Sequence, residues 1–286
     1  MMSIDAVTRK WIRSKADEHA VESGCRFSEP AGQRVVTFFR TYLRHSKGEF
    51  AGKPFELLEW QANEIIMPLF GWLKPDGARR YTKTYVEIPK KNGKSTLGAG
   101  VGLYLLAGDR ERGAEVYSVA GDEDQAKIVH DEAINMVEAS PELSETLEIN
   151  RSANVIAFHK FKSKYAALSA IAETKEGLNS SGLIIDELHA WRGRKLWDAL
   201  KYAGRARRQP LQFVITTAGD DLLSVCREQY EYAKGILDGA WFDDRFFAYI
   251  REALPTDDWK SPEVWHKTNP SMGITIREDE FAADVR

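Results

Sequence analysis

A chain of 286 residues, 43% of them hydrophobic, is long enough for one large α/β domain or a domain with a subdomain. A formal net charge of −3, with 29% charged residues spread along the chain, excludes a constitutively basic nucleic-acid coat, so any DNA contact must use a local patch. Two cysteines, Cys25 and Cys226, with no C-x-x-C pair, exclude a zinc ribbon and a disulfide scaffold, and without a long apolar run or signal sequence the expectation is a soluble protein of a reducing cytoplasm.

Three stretches carry apolar residues at helical spacing: Ser3 to Glu22, Gln33 to His45 and Glu56 to Trp72. Loop-like pieces, SKGEFAGKP and KPDGARR, separate or follow them. The pattern then changes to alternating strand and helix. Thr84–Ile88 reads as a strand before a Gly-containing turn and a helix from Lys94 to Leu106. Glu115–Ala120 reads as a strand leading to a helix from Glu123 to Glu138. Asn154–His159 and Tyr165–Ala170 read as strands able to pair as a hairpin. Gly182–Ile185 and Gln212–Thr216 are apolar without alternation, as strands buried on both faces are. Phe246–Arg251 adds a late strand, the tail beyond Ala253 is turn-rich and less regular, and IREDEFAADVR reads as a helix just begun. Such alternation predicts an α/β fold with a mostly parallel sheet covered by helices.

The strongest local signal is IPKKNGKST, Ile88 to Thr96, between an expected strand and an expected helix. Backbone N–H groups at a helix start, with the helix dipole behind them, attract phosphate. Lys94 is placed to reach the β- and γ-phosphates, the Ser95 hydroxyl to ligate Mg²⁺, and Gly93 to let the backbone approach. Lys90, Lys91, Asn92 and Thr96 complete the candidate ATP-binding loop, although Lys90 and Lys91 read equally as a solvated turn. Ile88 stands where the usual pattern has its first glycine, so a plain lysine turn before a helix is the competing reading.

LIIDELHAW, Leu183 to Trp191, supplies two carboxylates at the carboxyl end of a buried strand, where open α/β sheets hold their ligands. Asp186 suits the Mg²⁺ shell, and Glu187 suits positioning and deprotonating an attacking water. The alternative is a strand ending in charge because it meets solvent; His189 reads as structural or as a local hydrogen-bond partner. FVITTAG ends in Thr216, Thr217 and Gly219, hydroxyls and a turn able to sense loss of a γ-phosphate, or simply a Thr-rich strand end. Upstream, the Gln61 amide matches the N6/N7 edge of adenine, or is a solvated helix residue, and Trp60 packs nearby or fills the core.

Together, the Trp-Gln element, PKKNGKS, EGLNSSGLIIDELHAW, QPLQFVITTAG and the tail WHKTNPSMG resemble the large terminase subunit of tailed bacteriophages from about Pro54 onward. The resemblance implies an additional-strand, RecA-like P-loop ATPase that moves double-stranded DNA into a capsid within the host cytoplasm. Its implied partners are the portal protein, the small terminase subunit and further copies of itself in a ring, a pentamer in that family. Helical spacing upstream gives an expected N-terminal helical region at 1–53, and the resemblance implies an ATPase core at 54–253 and a linker or subdomain at 254–286 leading toward a ribonuclease H-like nuclease beyond this chain. By motif, Lys94, Ser95, Asp186 and Glu187 form the hydrolytic set, Thr216 to Gly219 the coupling motif, and Gln61 the adenine side. Lys90 stands where the family often has arginine, and lysine lacks the planar fork. A cation supplied by a neighbouring subunit is therefore expected, with Arg205, Arg207, Arg208 and Lys175 as candidates; the three arginines read otherwise as a solvated or DNA-facing patch.

Two other readings use the same motifs. DELH resembles the box of superfamily 2 helicases, but about 65 residues follow Gly219, too few for a second RecA-like lobe at ordinary domain sizes. A nucleotide-gated DNA-binding or assembly module would need no water-activating carboxylate, and Mg²⁺-dependent phosphate release separates it from a hydrolase.

Overall fold

The computed structural model describes residues 4–168 and 177–285. The amino-terminal stretch forms two helices rather than one, α1 (Ala6–Lys10) and α2 (Lys15–Glu22). Asp5 and Ser14 each accept a hydrogen bond from the backbone N–H three residues on, and Ser14 is extended, so a new start interrupts the apolar period. A short strand, β1 (Arg26–Phe27), precedes α3 (Glu29–Tyr42), which starts earlier than its periodicity suggests because Ser28 caps it and Pro30 occupies the first turn. Gln61–Ile66 is wound as a π-helix and runs into α4 (Met67–Gly71) and β2 (Trp72–Leu73), the antiparallel partner of β1.

The central elements follow as β3 (Lys83–Glu87), α5 (Lys94–Leu103), β4 (Glu115–Val119), α6 (Glu123–Glu138), α7 (Pro141–Ser144), β5 (Glu148–Asn150), β6 (Val155–Phe158), β7 (Ser163–Ala167), β8 (Gly182–Asp186), α8 (Lys195–Leu200), β9 (Leu211–Thr216), α9 (Val225–Leu237) and β10 (Phe246–Ile250). One sheet takes the order β10-β3-β9-β8-β4-β7-β6-β5. Every pairing from β10 to β7 is parallel; β7-β6 and β6-β5 are antiparallel, so the expected hairpin is present. β9 therefore lies between the strand that feeds the lysine-rich loop and the strand that ends in the acidic pair. The tail is more regular than its turn-rich composition suggests: it forms α10 (Pro262–Thr268) and α11 (Glu278–Val285), the first capped by Ser261 with Pro262 in its first turn.

Two cores cover the two faces of the sheet. Val86, Ile184, Phe213 and Ile215 face α5, α6 and α3, whereas Tyr85, Leu183, Ile185 and Val214 face α8 and α9. Successive strand residues point to opposite faces, so strands covered on both sides lose the apolar–polar alternation. α5 lies close to its neighbours: a side chain on Gly100 would come within 2.4 Å of Phe39, and one on Gly102 within 2.7 Å of Tyr165. That close seating fixes where the helix start, and thus the phosphate loop, stands over the sheet.

The amino-terminal helices share the first core, to which Trp11, Ala20 and Phe39 contribute. Their anchor is ionic. Arg80, almost fully buried, bonds Asp17 Oδ1 at 2.6 Å, Ala16 O at 3.0 Å and Asp244 O at 2.9 Å, and Tyr81 also donates to Asp17. Removing one partner of such a pair leaves the other charged and unmatched in a low dielectric. Asp17→Ala should therefore lower the unfolding free energy by about 3–5 kcal/mol, read as a reduced denaturant midpoint at unchanged slope; an unchanged midpoint contradicts this account of the anchor.

Candidate active site

The site forms at the carboxyl ends of β3, β9 and β8, where three loops leave the sheet on the same edge. After Ile88 and Pro89 the chain turns through Lys91 (φ 70°) and Gly93 (φ 74°), both left-handed, and enters α5 at Lys94. Asn92 lies between these turns and is almost wholly buried; its Nδ2 donates to Pro89 O at 3.2 Å and Lys90 O at 3.3 Å. Left-handed residues just before a helix start let the loop curl back so that backbone N–H groups can face an anion. Lys90 and Lys91 are exposed on its rim, and Thr96 is half-buried in the first turn of α5.

Lys94 is buried and folds back so that Nζ donates to Ile88 O at 3.4 Å and Pro89 O at 3.2 Å. Burial pushes the ammonium below the usual lysine range, opposed by the carboxylates of Glu187 and Asp186. One residue on, Ser95 Oγ donates to Asp186 Oδ2 at 2.9 Å, joining the helix that follows β3 to the tip of β8 across β9. Burial pushes the Asp186 carboxyl up to about 6, against the lowering effect of the Ser95 hydrogen bond.

Glu187 adopts a left-handed backbone (φ 48°), with its N–H directed at Asp186 Oδ1 (3.0 Å) and Ile215 O (3.1 Å). Its Oε2 lies 3.1 Å from His189 Nδ1, at ion-pair range without hydrogen-bond alignment. His189 Nδ1 is also 3.2 Å from Thr216 Oγ1 and 3.2 Å from Thr217 Oγ1, and the His189 backbone N–H donates to Thr216 Oγ1. The imidazole thus lies between the carboxylate at the end of β8 and the hydroxyls at the end of β9, hydrogen-bonded on the hydroxyl side. Gly219 packs against it: a side chain there would come within 3.1 Å of His189 Cβ. Of the two sequence readings of His189, structural or local hydrogen-bond partner, these contacts are those of the second.

Gln61 is buried beside the loop, its Oε1 accepting from Leu58 N at 3.0 Å and its Nε2 3.6 Å from where a Gly93 side chain would begin. Trp60 is a core residue stacked on Tyr249, with ring centroids 6.2 Å apart and planes 11° apart. A cavity of about 1030 Å³ adjoins the loop, lined in part by Glu87, Lys90, Lys91, Thr217, Arg251 and Asn269; Lys94, Ser95, Asp186 and Glu187 stand outside its lining. Sequence reasoning also missed Glu87, a second buried carboxyl that takes the Tyr85 hydroxyl at 2.6 Å and is raised by burial.

The basic candidates lie at the amino-terminal end of β9, at the opposite end of that strand from Thr216. Arg207 is tied within its own chain to Glu111 (3.1 Å), Glu115 (3.8 Å) and Asn179 O (2.9 Å). Arg205 is exposed over the Tyr202 ring, and Arg208 is exposed with Nη2 on Asp76 O. None of the three serves the phosphate loop of its own chain. Lys175 lies outside the described residues.

Among the described residues, no helix is long and apolar enough to cross a membrane. The family model for the terminase large subunit ATPase domain matches residues 59–235, from the Trp-Gln element through α9. The large terminase subunit of Enterobacteria phage HK97 is 30% identical over 257 residues, covering 88% of this chain and 48% of that protein. The terminase large subunit of Lactococcus phage p2 is 24% identical over 196 residues, 66% of this chain and 35% of that protein. The crystal structure of the HK97 large terminase superposes with a TM-score of 0.76 at 27% identity, covering 89% of this chain and 50% of that one. The chain thus spans half or less of the length of these relatives. With the phosphate loop, acidic strand end and intervening strand all inside the matched region, the chain belongs to the terminase large subunit ATPase-domain family.

Proposed function

We propose that this chain hydrolyses ATP with Mg²⁺ and uses the cycle to move double-stranded DNA. The observation that carries the reading is the 2.9 Å contact of Ser95 with Asp186, beside Lys94 and Glu187, at one sheet edge. The residues present fit the metal: a hydroxyl and a buried carboxylate are hard oxygen donors, and the Asp186 charge has a neutral hydroxyl as its nearest side-chain partner. Ser95 and Asp186 would hold the ion, directly or through water. Bound there, Mg²⁺ would neutralise charge on the β- and γ-phosphates.

The remaining work falls to the chain's own groups. Lys94 rests on two neutral carbonyls of its loop, so an anionic phosphate oxygen is a stronger acceptor and draws the ammonium to the nucleotide. N–H groups at the start of α5 and the loop residues Lys90 to Thr96 cradle the phosphates, with Gln61 on the base side. Glu187 orients a water and takes its proton. His189 links that carboxylate to Thr216 and Thr217, so loss of the γ-phosphate is felt at the tip of β9.

The reading extends to a ring, a pentamer by resemblance, docked on a portal protein and fed DNA by a small terminase subunit. DNA cleavage is assigned to none of these residues. In the ring, a neighbour's Arg205 or Arg208 supplies the cation for the transferring phosphoryl group, while Arg207 is already neutralised within its own chain. Phosphate release should require Mg²⁺, stop with chelator and rise with double-stranded DNA; no Mg²⁺-dependent release under ring-forming conditions sinks the reading. Mixing an Arg205→Ala/Arg208→Ala chain with a Lys94→Ala chain should recover hydrolysis where an intact loop meets an intact arginine. Activity independent of protein concentration, with no recovery on mixing, places the whole site in one subunit.

A further inference from the structure

The tail segment after α10 reaches back across the molecule to the phosphate loop. Asn269 is held at the end of α10 by three bonds: its N–H to Trp265 O at 2.8 Å, and its Nδ2 to Trp265 O at 3.2 Å and Thr268 Oγ1 at 3.1 Å. Trp265 is itself buried and donates from its indole to Trp259 O at 2.8 Å. So fixed, Asn269 presents Oδ1 to Asn92 Nδ2 at 3.2 Å. Two residues later the Ser271 N–H donates to Asn92 Oδ1 at 3.1 Å. The Asn92 amide is thus clasped on both its donor and its acceptor side. All three residues are buried: Asn92 is 1% exposed, Asn269 4% and Ser271 0%.

Asn92 is the residue that organises the loop. It lies between the left-handed Lys91 and Gly93, and it bonds Pro89 O, which is also an acceptor of Lys94 Nζ. One carbonyl therefore separates the tail's grip from the ammonium that must meet phosphate. The segment lies beyond the region matched by the family model, which ends at residue 235. We propose that Asn269 and Ser271 are positioning residues of the nucleotide site: they hold Asn92, and through it the phosphate loop, in its binding shape. The proposal rests on the ATPase reading above. A loop released from this clasp must be ordered at the expense of binding, so nucleotide affinity falls. By linkage, bound nucleotide must tighten the tail onto the loop by the same factor.

The test is a double-mutant cycle on the full chain with a non-hydrolysable ATP analogue, affinity being measured by calorimetry and melting followed in parallel. Asn269→Ala should weaken binding by about three- to tenfold, the scale of one net buried hydrogen bond, since Asn92 Nδ2 keeps Pro89 O and Lys90 O as acceptors. Asn92→Ala should weaken it similarly, and the double variant should be no weaker than the worse single one. Unchanged affinity in Asn269→Ala, or losses that simply multiply, overturns the proposal even if melting temperatures fall. If Asn269→Ala does not fold, Asn269→Ser, too short to reach Asn92, is measured the same way. Independently, the analogue should slow amide exchange across residues 262–271 of the unaltered chain, and unchanged exchange there overturns the proposal. Failure of the unaltered chain to bind the analogue at all instead refutes the ATPase reading.

Discussion

Glu187→Gln should bind ATP about as tightly as the unaltered chain and lose about 10²–10⁴-fold in turnover. The substitution keeps the shape of the side chain and the backbone N–H that bonds Asp186 and Ile215, and it removes only the basic oxygen. The carboxylate sits next to the Ser95–Asp186 pair without being part of it, as expected of a group that acts on water rather than on metal. Single-turnover phosphate release, measured alongside equilibrium binding, separates the two effects. Turnover within a few-fold of the unaltered chain would remove Glu187 from the role of base.

Lys94→Ala should behave differently, losing binding as well as rate. A charge-assisted bond to phosphate contributes about 1.5–3 kcal/mol, so affinity should fall about 10–100-fold, and turnover further because charge grows in the transition state. The nucleotide-free protein should melt at the same or a higher temperature, since the ammonium is buried against two neutral carbonyls and held below its usual range. Unchanged affinity by calorimetry would show that Ile88 to Thr96 is not the phosphate loop.

Much of the candidate site was legible because its signals are local. The lysine-rich loop lies within nine residues between a strand and a helix, and the acidic pair straddles the end of an apolar strand, Asp186 its last residue and Glu187 the next. The apolar runs at β8 and β9 reported burial on both faces, which fixed the parallel sheet. Strand order was not legible, since it depends on pairings such as Lys83 with Gln212 that no local pattern encodes. The same holds for Asn269, which meets Asn92 only in three dimensions. Some local signals were passed over. α9 is announced by the Ser224 cap and by Val225, Cys226, Ala233 and Ile236 on one buried face, but the DDLLS turn before it breaks the apolar period. Gln61 and Trp60 show a further limit: adjacent residues of one motif part ways, one beside the loop and the other in the core, because helical neighbours point about 100° apart.

The place of β3 also governs when the protein can fold. Its two neighbours in the sheet are β9 and β10, which begin at Leu211 and Phe246, long after Glu87 has left the ribosome. Until then the nascent chain carries a strand with both edges open, ahead of a loop that has no sheet to stand on. Pairing across such separations is slow and leaves apolar edges exposed during synthesis. The candidate site at the end of β3 can therefore assemble only after β9 and β10 have been made, and until then the open strand edges are exposed to aggregation.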